Sequence, residues 1–346
     1  MTRVVVIGGG IAGFTFARKA ATQNWHVTLV EPREYFEVPF AALRALMDPD
    51  GFGRRIRIRY SDLLSVSHRQ MRAAALRPDS VVLEDGSELP FDFAVVATGS
   101  KIKGFEELKV DTRQSLVERE ASWRRQHELL RSAASVAILG GGPVGVELAG
   151  EIASAFPGKP TTLVERRGEL LPALGRAAGR KARRVLQSLG VTVLAGAPGE
   201  VRNGAIVLGD GRTVPAHLFF QALGVKHDPD LLRTHFPEAV EDSGRVRVDD
   251  WLRLTGSPNV FVIGDAAATP EIKLGALAEL HARKAFENVG AMLEHRPLAR
   301  YKPVRGPMGY AVLGRRAGLV RLPFGRLDFL IREKQRDMFV SHYLPA

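Results

Sequence analysis

Two carboxylates, Glu31 and Glu165, each close a glycine-rich turn in this chain of 346 residues. Gly8, Gly10 and Gly13 stand in Gly-x-Gly-x-x-Gly spacing directly after Val4-Val5-Val6-Ile7, with Gly9, Ile11 and Ala12 between them. A second β-favouring run, Val27-Thr28-Leu29-Val30, ends on Glu31, 23 residues beyond Gly8. Strand, turn, helix, strand and acid in that order is the context that makes the glycines informative. Gly8 allows the tight turn, Gly10 lets the backbone approach a pyrophosphate, and Gly13 lets the helix pack on the strand. The helix N-terminus offers free N–H groups and a positive dipole end to phosphates. Glu31 is placed to bind ribose hydroxyls.

The pattern recurs. Ser135–Leu139 leads into Gly140, Gly142 and Gly145, then a helix over 146–156, a strand over 161–164 and Glu165, 25 residues beyond Gly140. Two copies, 132 residues apart and each complete through its acid, imply two nucleotides. The economical pair is a tightly held flavin dinucleotide and an exchangeable nicotinamide dinucleotide. Glu165 favours NADH by bonding a ribose hydroxyl and repelling a 2′-phosphate. Arg166 and Arg167 follow at once and can hold that phosphate, so use of both NADH and NADPH is expected.

Other residues gather round this frame. Phe93–Val96 reads as a buried strand ending in Ala97-Thr98-Gly99, whose small residues permit close approach of a cofactor. Val260–Ile263 ends in Gly264-Asp265, ahead of a helix over 272–293. Asp265 there can accept a hydrogen bond from a ribityl chain, and the helix N-terminus can stabilise a reduced flavin. Arg44, on a short helix over 41–46, can reach a phosphate or the flavin edge, or lie on the surface.

The connecting elements read as a strand or loop at 55–59, short strands with an Asp85-Gly86 hairpin over 71–95, and a helix over 105–133. That helix would turn Trp123, Leu129 and Leu130 inward. Strand-like Tyr310–Leu313 and Gly318–Leu322 and a mixed segment over 327–340 form a separate C-terminal module. The fold class is therefore α/β: two Rossmann-like domains plus a small C-terminal α+β module. The first unit takes 1–105 and 243–300, the second 106–242, and the C-terminal module 301–346.

Zero cysteines remove structural disulfides, thiolate metal sites and redox-active cysteine pairs, and no metal site is expected. The net charge is +11, and residues 301–346 carry nine Lys/Arg against three Asp/Glu. Such a surface suits anionic small molecules or lipid headgroups. No apolar run reaches membrane-spanning length. The first strand begins too early for a signal peptide, and Thr2 rules out N-myristoylation. The expected location is cytoplasmic or peripheral on a membrane.

The order of these elements resembles the two-dinucleotide-binding-domain flavoproteins, and more closely the ferroptosis-suppressor and AIF-like, mitochondrion-associated family. The closer resemblance rests on Ala41–Ala45, Gly145-Val146-Glu147 with Glu151, Leu277–Ala282, Tyr301-Lys302-Pro303 and Arg336–Ser341. It implies an FAD-dependent NAD(P)H:quinone oxidoreductase, passing hydride from NAD(P)H to flavin N5 and electrons to a ubiquinone- or vitamin-K-type quinone. It implies FAD contacts at Gly8 to Gly13, Arg44, Arg72 and Asp265. It also puts Glu147 at the nicotinamide end and Lys334 near the quinone. Solvent, or a group such as Lys334 or His281, can protonate the quinol, with a surface position the bland expectation for each side chain, and favoured for His281. The family's animal members carry a myristoylation site that this sequence lacks.

Rival readings are a type-II NADH dehydrogenase, which wants an amphipathic C-terminal membrane helix, and a ferredoxin-type reductase. A non-enzymatic rival is an AIF-like flavoprotein that binds DNA, although no nucleic-acid motif is present. Expected partners are a quinone, an anionic membrane and a second copy in a homodimer.

Overall fold

Val4 to Ile7 are β-branched and buried on both faces, so Thr2–Ile7 forms a central strand, β1. The computed structural model describes residues 1–109, 112–202, 204–326 and 331–344. Helix α1 (Ile11–Ala20) follows, and Trp25–Val30 returns as β2, parallel to β1. Helix α2 (Ala42–Met47) and strands β3 (Ser67–Arg69) and β4 (Phe93–Val96) come next. Helix α3 (Leu116–Ser132) leads to β5 (Val136–Leu139), α4 (Pro143–Ala155), β6 (Thr161–Glu165), α5 (Arg176–Ser188), β7 (Val191–Ala195) and β8 (Leu218–Gln221). The chain then forms β9 (Val260–Val262), α6 (Gly275–Leu293), β10 (Gly309–Leu313), β11 (Ala317–Leu322), β12 (Gly325–Arg326), α7 (Ile331–Asp337) and α8 (Val340–Tyr343).

Two parallel sheets result, in the orders β9-β4-β1-β2-β3 and β7-β6-β5-β8. Taken in one direction, β4-β1-β2-β3 and β8-β5-β6-β7 are the same order. Each sheet also has an antiparallel three-stranded meander between its third and fourth strands, over 73–90 and 198–215. The duplication seen in the glycines thus extends to topology. Only the first sheet gains an extra parallel strand, β9, which puts Gly264-Asp265 at its carboxyl edge. Ligands bind at that edge in open α/β sheets.

Three expectations shift. Helix α3 starts at Leu116 rather than near 105, because Ser115 and Glu118 form a reciprocal capping box that sets its first turn. Trp123 and Leu130 are buried, but Leu129 is 53% exposed, since one residue is about 100° of helix rotation. Arg-rich α5 has no counterpart in the sequence reading. The C-terminal segment is also not separate at its core. Val312, Leu319, Ile331, Met338 and Tyr343 belong to the same buried cluster as Val4, Phe14 and Ile138. Three short strands and two short helices have too little apolar surface to close alone. Residues 327–330 of the expected mixed segment lie outside the described residues. No described helix is long and apolar enough to cross a membrane.

Candidate functional site

At the end of β1 the chain turns through Gly8 with φ of +99°, and a Cβ there would lie 2.5 Å from the Ala97 carbonyl oxygen. A Cβ on Gly13 would lie 1.9 Å from the Gly8 oxygen, so α1 sits directly on the turn. A Cβ on Gly10 would meet nothing within 4 Å, and no side chain caps α1. The N–H groups around Ile11 and Ala12 therefore open onto a cradle that only a side chain at Gly10 would fill. Gly9 N–H donates to Glu31 at 2.7 Å. The second turn repeats this arrangement. Gly140 has φ of +111°, a Gly145 Cβ would lie 2.0 Å from Gly140 O, and Gly142 is open. Gly141 N–H donates to Glu165 at 2.6 Å. Both cradles fit a dinucleotide pyrophosphate.

The two acids differ in their surroundings. Glu31 is 4% exposed and also receives Arg33 Nε at 2.8 Å and Nη2 at 3.1 Å. Burial pushes its carboxyl up, but Arg33 and the Gly9 N–H outweigh that and hold it below the ordinary carboxylate range. The Tyr60 hydroxyl donates to Gly9 O at 2.7 Å, closing the turn from outside. Glu165 is half-buried, and apart from Gly141 its carboxylate has a long contact, 3.4 Å, from Arg167 N–H. The Arg166 and Arg167 side chains are exposed and have no partner among the described residues.

Thr98 abuts Gly8, its nitrogen 3.1 Å from the Gly8 Cβ position. Gly264 packs on Ala12, with 3.0 Å between the Gly264 Cβ position and the Ala12 Cβ, which sets Asp265 beside the first turn of α1. Asp265 accepts from Ser100 Oγ at 2.6 Å and Lys109 Nζ at 3.5 Å. Burial raises its carboxyl, yet Lys109 and Ser100 bring it below the ordinary value. Gly99 meets His227 Nδ1 through its carbonyl at 3.2 Å. Thr98, Gly99 and Asp265 thus share one edge with Gly8–Gly13.

Lys334 and Glu147, 187 residues apart, are brought together. Lys334 Nζ donates to Glu147 Oε1 at 2.7 Å, and Val312 N–H donates to the same oxygen at 2.9 Å. The ammonium lies 4.4 Å from the Tyr310 ring centroid, a cation–π contact. Lys334 is only 2% exposed, so its expected surface alternative does not hold. Burial, then the charges of Glu147 and Glu279, push the Tyr310 hydroxyl far up, so it stays neutral. Glu151, one helical turn beyond Glu147 on α4, holds buried Arg44 at 2.8 Å, and Arg44 Nη1 donates to Gln335 O at 2.7 Å. Arg44 therefore ties α2, α4 and α7 together and fixes the helices that carry Glu147 and Lys334. Rings line this side: Phe40 to Phe339 at 6.1 Å and Tyr310 to Phe339 at 5.8 Å.

Arg72 is half-buried and lies 3.7 Å from Asp228, which follows His227, the residue whose ring meets the Gly99 carbonyl. His281 is buried, against the expectation of a surface position. Its Nδ1 accepts Gly264 N–H at 3.1 Å and its Nε2 meets Glu271 at 2.6 Å, a carboxylate also bound by the Tyr301 hydroxyl at 2.7 Å. This network braces the Gly264-Asp265 turn from behind. Arg33, Tyr60, Ser100, Lys109 and Glu271 escaped the sequence reading. Arg33, two residues past its acid, carried a local signal; the others are joined only by the fold.

The sequence matches the pyridine nucleotide-disulphide oxidoreductase family over residues 2–282. It is 32% identical over 358 residues to ferroptosis suppressor protein 1 of Homo sapiens, covering 98% of this chain and 94% of that protein. Apoptosis-inducing factor homolog B of Dictyostelium discoideum is 26% identical over 374 residues, with 99% and 96% covered. Among solved structures, NDH2 from Plasmodium falciparum in complex with NADH aligns with a TM-score of 0.77 at 15% identity, covering 99% of this chain and 96% of that one. The sulfide:quinone oxidoreductase of Aquifex aeolicus aligns with a TM-score of 0.75 at 18% identity, covering 92% and 83%. At these identities the structural likenesses speak for the fold.

Proposed function

Since this chain belongs to the pyridine nucleotide-disulphide oxidoreductase family, we propose that it is the NAD(P)H:quinone branch of that chemistry. It is an FAD-dependent oxidoreductase that uses NAD(P)H. Without cysteine it cannot run the disulphide reaction in the family's description. Bound FAD supplies the redox chemistry, accepting hydride from NAD(P)H and handing electrons on. On this reading residues 1–105 and 243–300 hold FAD, 106–242 hold NAD(P)H, and 301–346 face the quinone at a membrane surface.

The carrying observation is the buried Lys334–Glu147 pair on the Tyr310 ring. A quinone gains two protons with its two electrons, and a donor held out of bulk water can supply one of them. Lys334 supplies that donor at Nζ. Glu147, held by Val312 N–H, keeps the ammonium in place. Phe40, Phe339 and Tyr310 offer ring faces and edges for a planar guest. Glu31 holds the first glycine turn in shape through Gly9 N–H, and Asp265 orients the ribityl end of FAD.

The test compares Lys334→Ala and Lys334→Arg with a soluble quinone and with ferricyanide, a one-electron acceptor that takes up no proton. Quinone kcat/KM falls about a hundredfold in Lys334→Ala and ferricyanide reduction is kept. Unchanged quinone reduction removes the assignment.

A further inference from the structure

Phe324 is 80% exposed at the tip of the β11–β12 hairpin, beside exposed Pro323. A lone exposed aromatic is ordinary. This one is framed by cations. Arg321 stands at the base of the hairpin, and a Cβ on Gly306 would lie 3.5 Å from the Pro323 Cβ, which brings the loop with Arg305 against the tip. Arg305 and Arg321 have no acidic partner among the described residues, and residues 301–346 carry a cationic surplus. The register places this tip beside the candidate acceptor site. Arg321 pairs with Gly309 and Val320 with Tyr310, whose ring underlies Lys334. At roughly 3.3 Å per residue from Val320, and about 5 Å across the strand pair, the Phe324 backbone is within about 18 Å of Tyr310.

We propose that residues 321–325, with Arg305, are a membrane-docking finger: Phe324 enters the headgroup–acyl boundary and Arg305 and Arg321 meet anionic headgroups. An aromatic wedge with basic flanks is the chemistry of interfacial binding. The inference rests on the reading that the acceptor is a quinone, since it explains why a lipid-dissolved substrate would meet Lys334 without a membrane-spanning helix. A second copy of the chain is the competing occupant. The basic flanks disfavour it, because two such tips would repel.

The experiment uses the full-length, FAD-loaded protein and floats it with phosphatidylcholine vesicles with and without phosphatidylserine. Wild type floats only with phosphatidylserine and is released by salt. Phe324→Ser lowers the vesicle partition coefficient about tenfold, and Arg305→Glu with Arg321→Glu lowers it at least as much. Phe324→Leu restores most of it. NADH-driven reduction of a soluble short-chain quinone is unchanged in all three, while reduction of a long-chain quinone in phosphatidylserine vesicles falls in step with binding. Equal flotation of wild type and Phe324→Ser overturns the proposal. So does light scattering that finds a dimer dissolved by Phe324→Ser and no vesicle binding. Phe324-dependent flotation in a protein that reduces no quinone supports the finger and removes only the acceptor reading.

Discussion

The two cradles share one backbone and differ in what surrounds their acids. Gly8 and Gly140 donate at 2.9 and 2.8 Å to Val30 and Val164, and Ala97 and Ala222 close the other side at 2.8 and 2.7 Å. At Glu31 every carboxylate lone pair has a donor, from Gly9 N–H and from Arg33 through its backbone and guanidinium, and Tyr60 shields the turn. At Glu165 acceptor capacity remains, water reaches the group, and two arginines without a side-chain partner among the described residues follow it in sequence. A dry, fully bonded site suits a resident that is bound once. A half-open one suits a guest that must leave each turnover. On the proposed reading, the same motif serves a resident cofactor in one place and an exchangeable nucleotide in the other according to what bonds its acid.

The largest expected effect separates the cradles by breaking each in turn. Gly13→Ala forces a Cβ to 1.9 Å from backbone oxygen and should cost at least about 3 kcal/mol and yield a colourless protein. Gly145→Ala meets a similar 2.0 Å clash in the second cradle. It should stay yellow and lose reduction by NADH, read as bleaching of the flavin band. If both variants lose flavin alike, the two sites are not distinct in use.

Glu31→Ala comes next. It leaves half-buried Arg33 with no carboxylate, a loss toward the lower end of roughly 3–5 kcal/mol because Arg33 keeps some water. Glu165→Ala should barely move Tm, since its acid is half-exposed and pairs with no cation among the described residues, and should raise the KM for NADH. Thermal unfolding of both variants side by side measures the contrast.

A smaller effect appears with pH. Glu31 and Asp265 both sit below their unfolded values of 4.5 and 3.8. Their stabilisation is present above those values and lost as pH falls through the lower folded ones. Tm should therefore drop on acidification below about pH 4.5, and Glu31→Gln should blunt that drop. An identical acid limb in Glu31→Gln would remove Glu31 from the account.

The smallest effect concerns the nucleotide. Replacing Arg166 and Arg167 by Ala should raise the KM for NADPH about fivefold to tenfold, near 1 kcal/mol, and leave that for NADH within about twofold. Equal changes for both nucleotides would mean that neither arginine reads the 2′-phosphate.

Much of this architecture was legible in the residue order. Glycine spacing, strand length and a terminal acid are short-range requirements of a βαβ turn, so both cradles and their strand edges could be placed from local pattern. The start of α3 was legible too, in Ser115 and Glu118, but a run of helix-compatible residues before it masked the cap. The inward face was misjudged at Leu129 because periodicity over one turn cannot choose between adjacent leucines.

What the sequence determined by itself is the pair of nucleotide-binding units and the absence of thiol chemistry, because both follow from residue type and near-neighbour geometry. The tertiary structure decided how the acids are partnered and which distant charges meet. Lys334 with Glu147 and Arg44 with Glu151 join residues 187 and 107 positions apart. Such pairs form where helices from different parts of the chain cross around one core, and no local spacing can announce where those helices will cross.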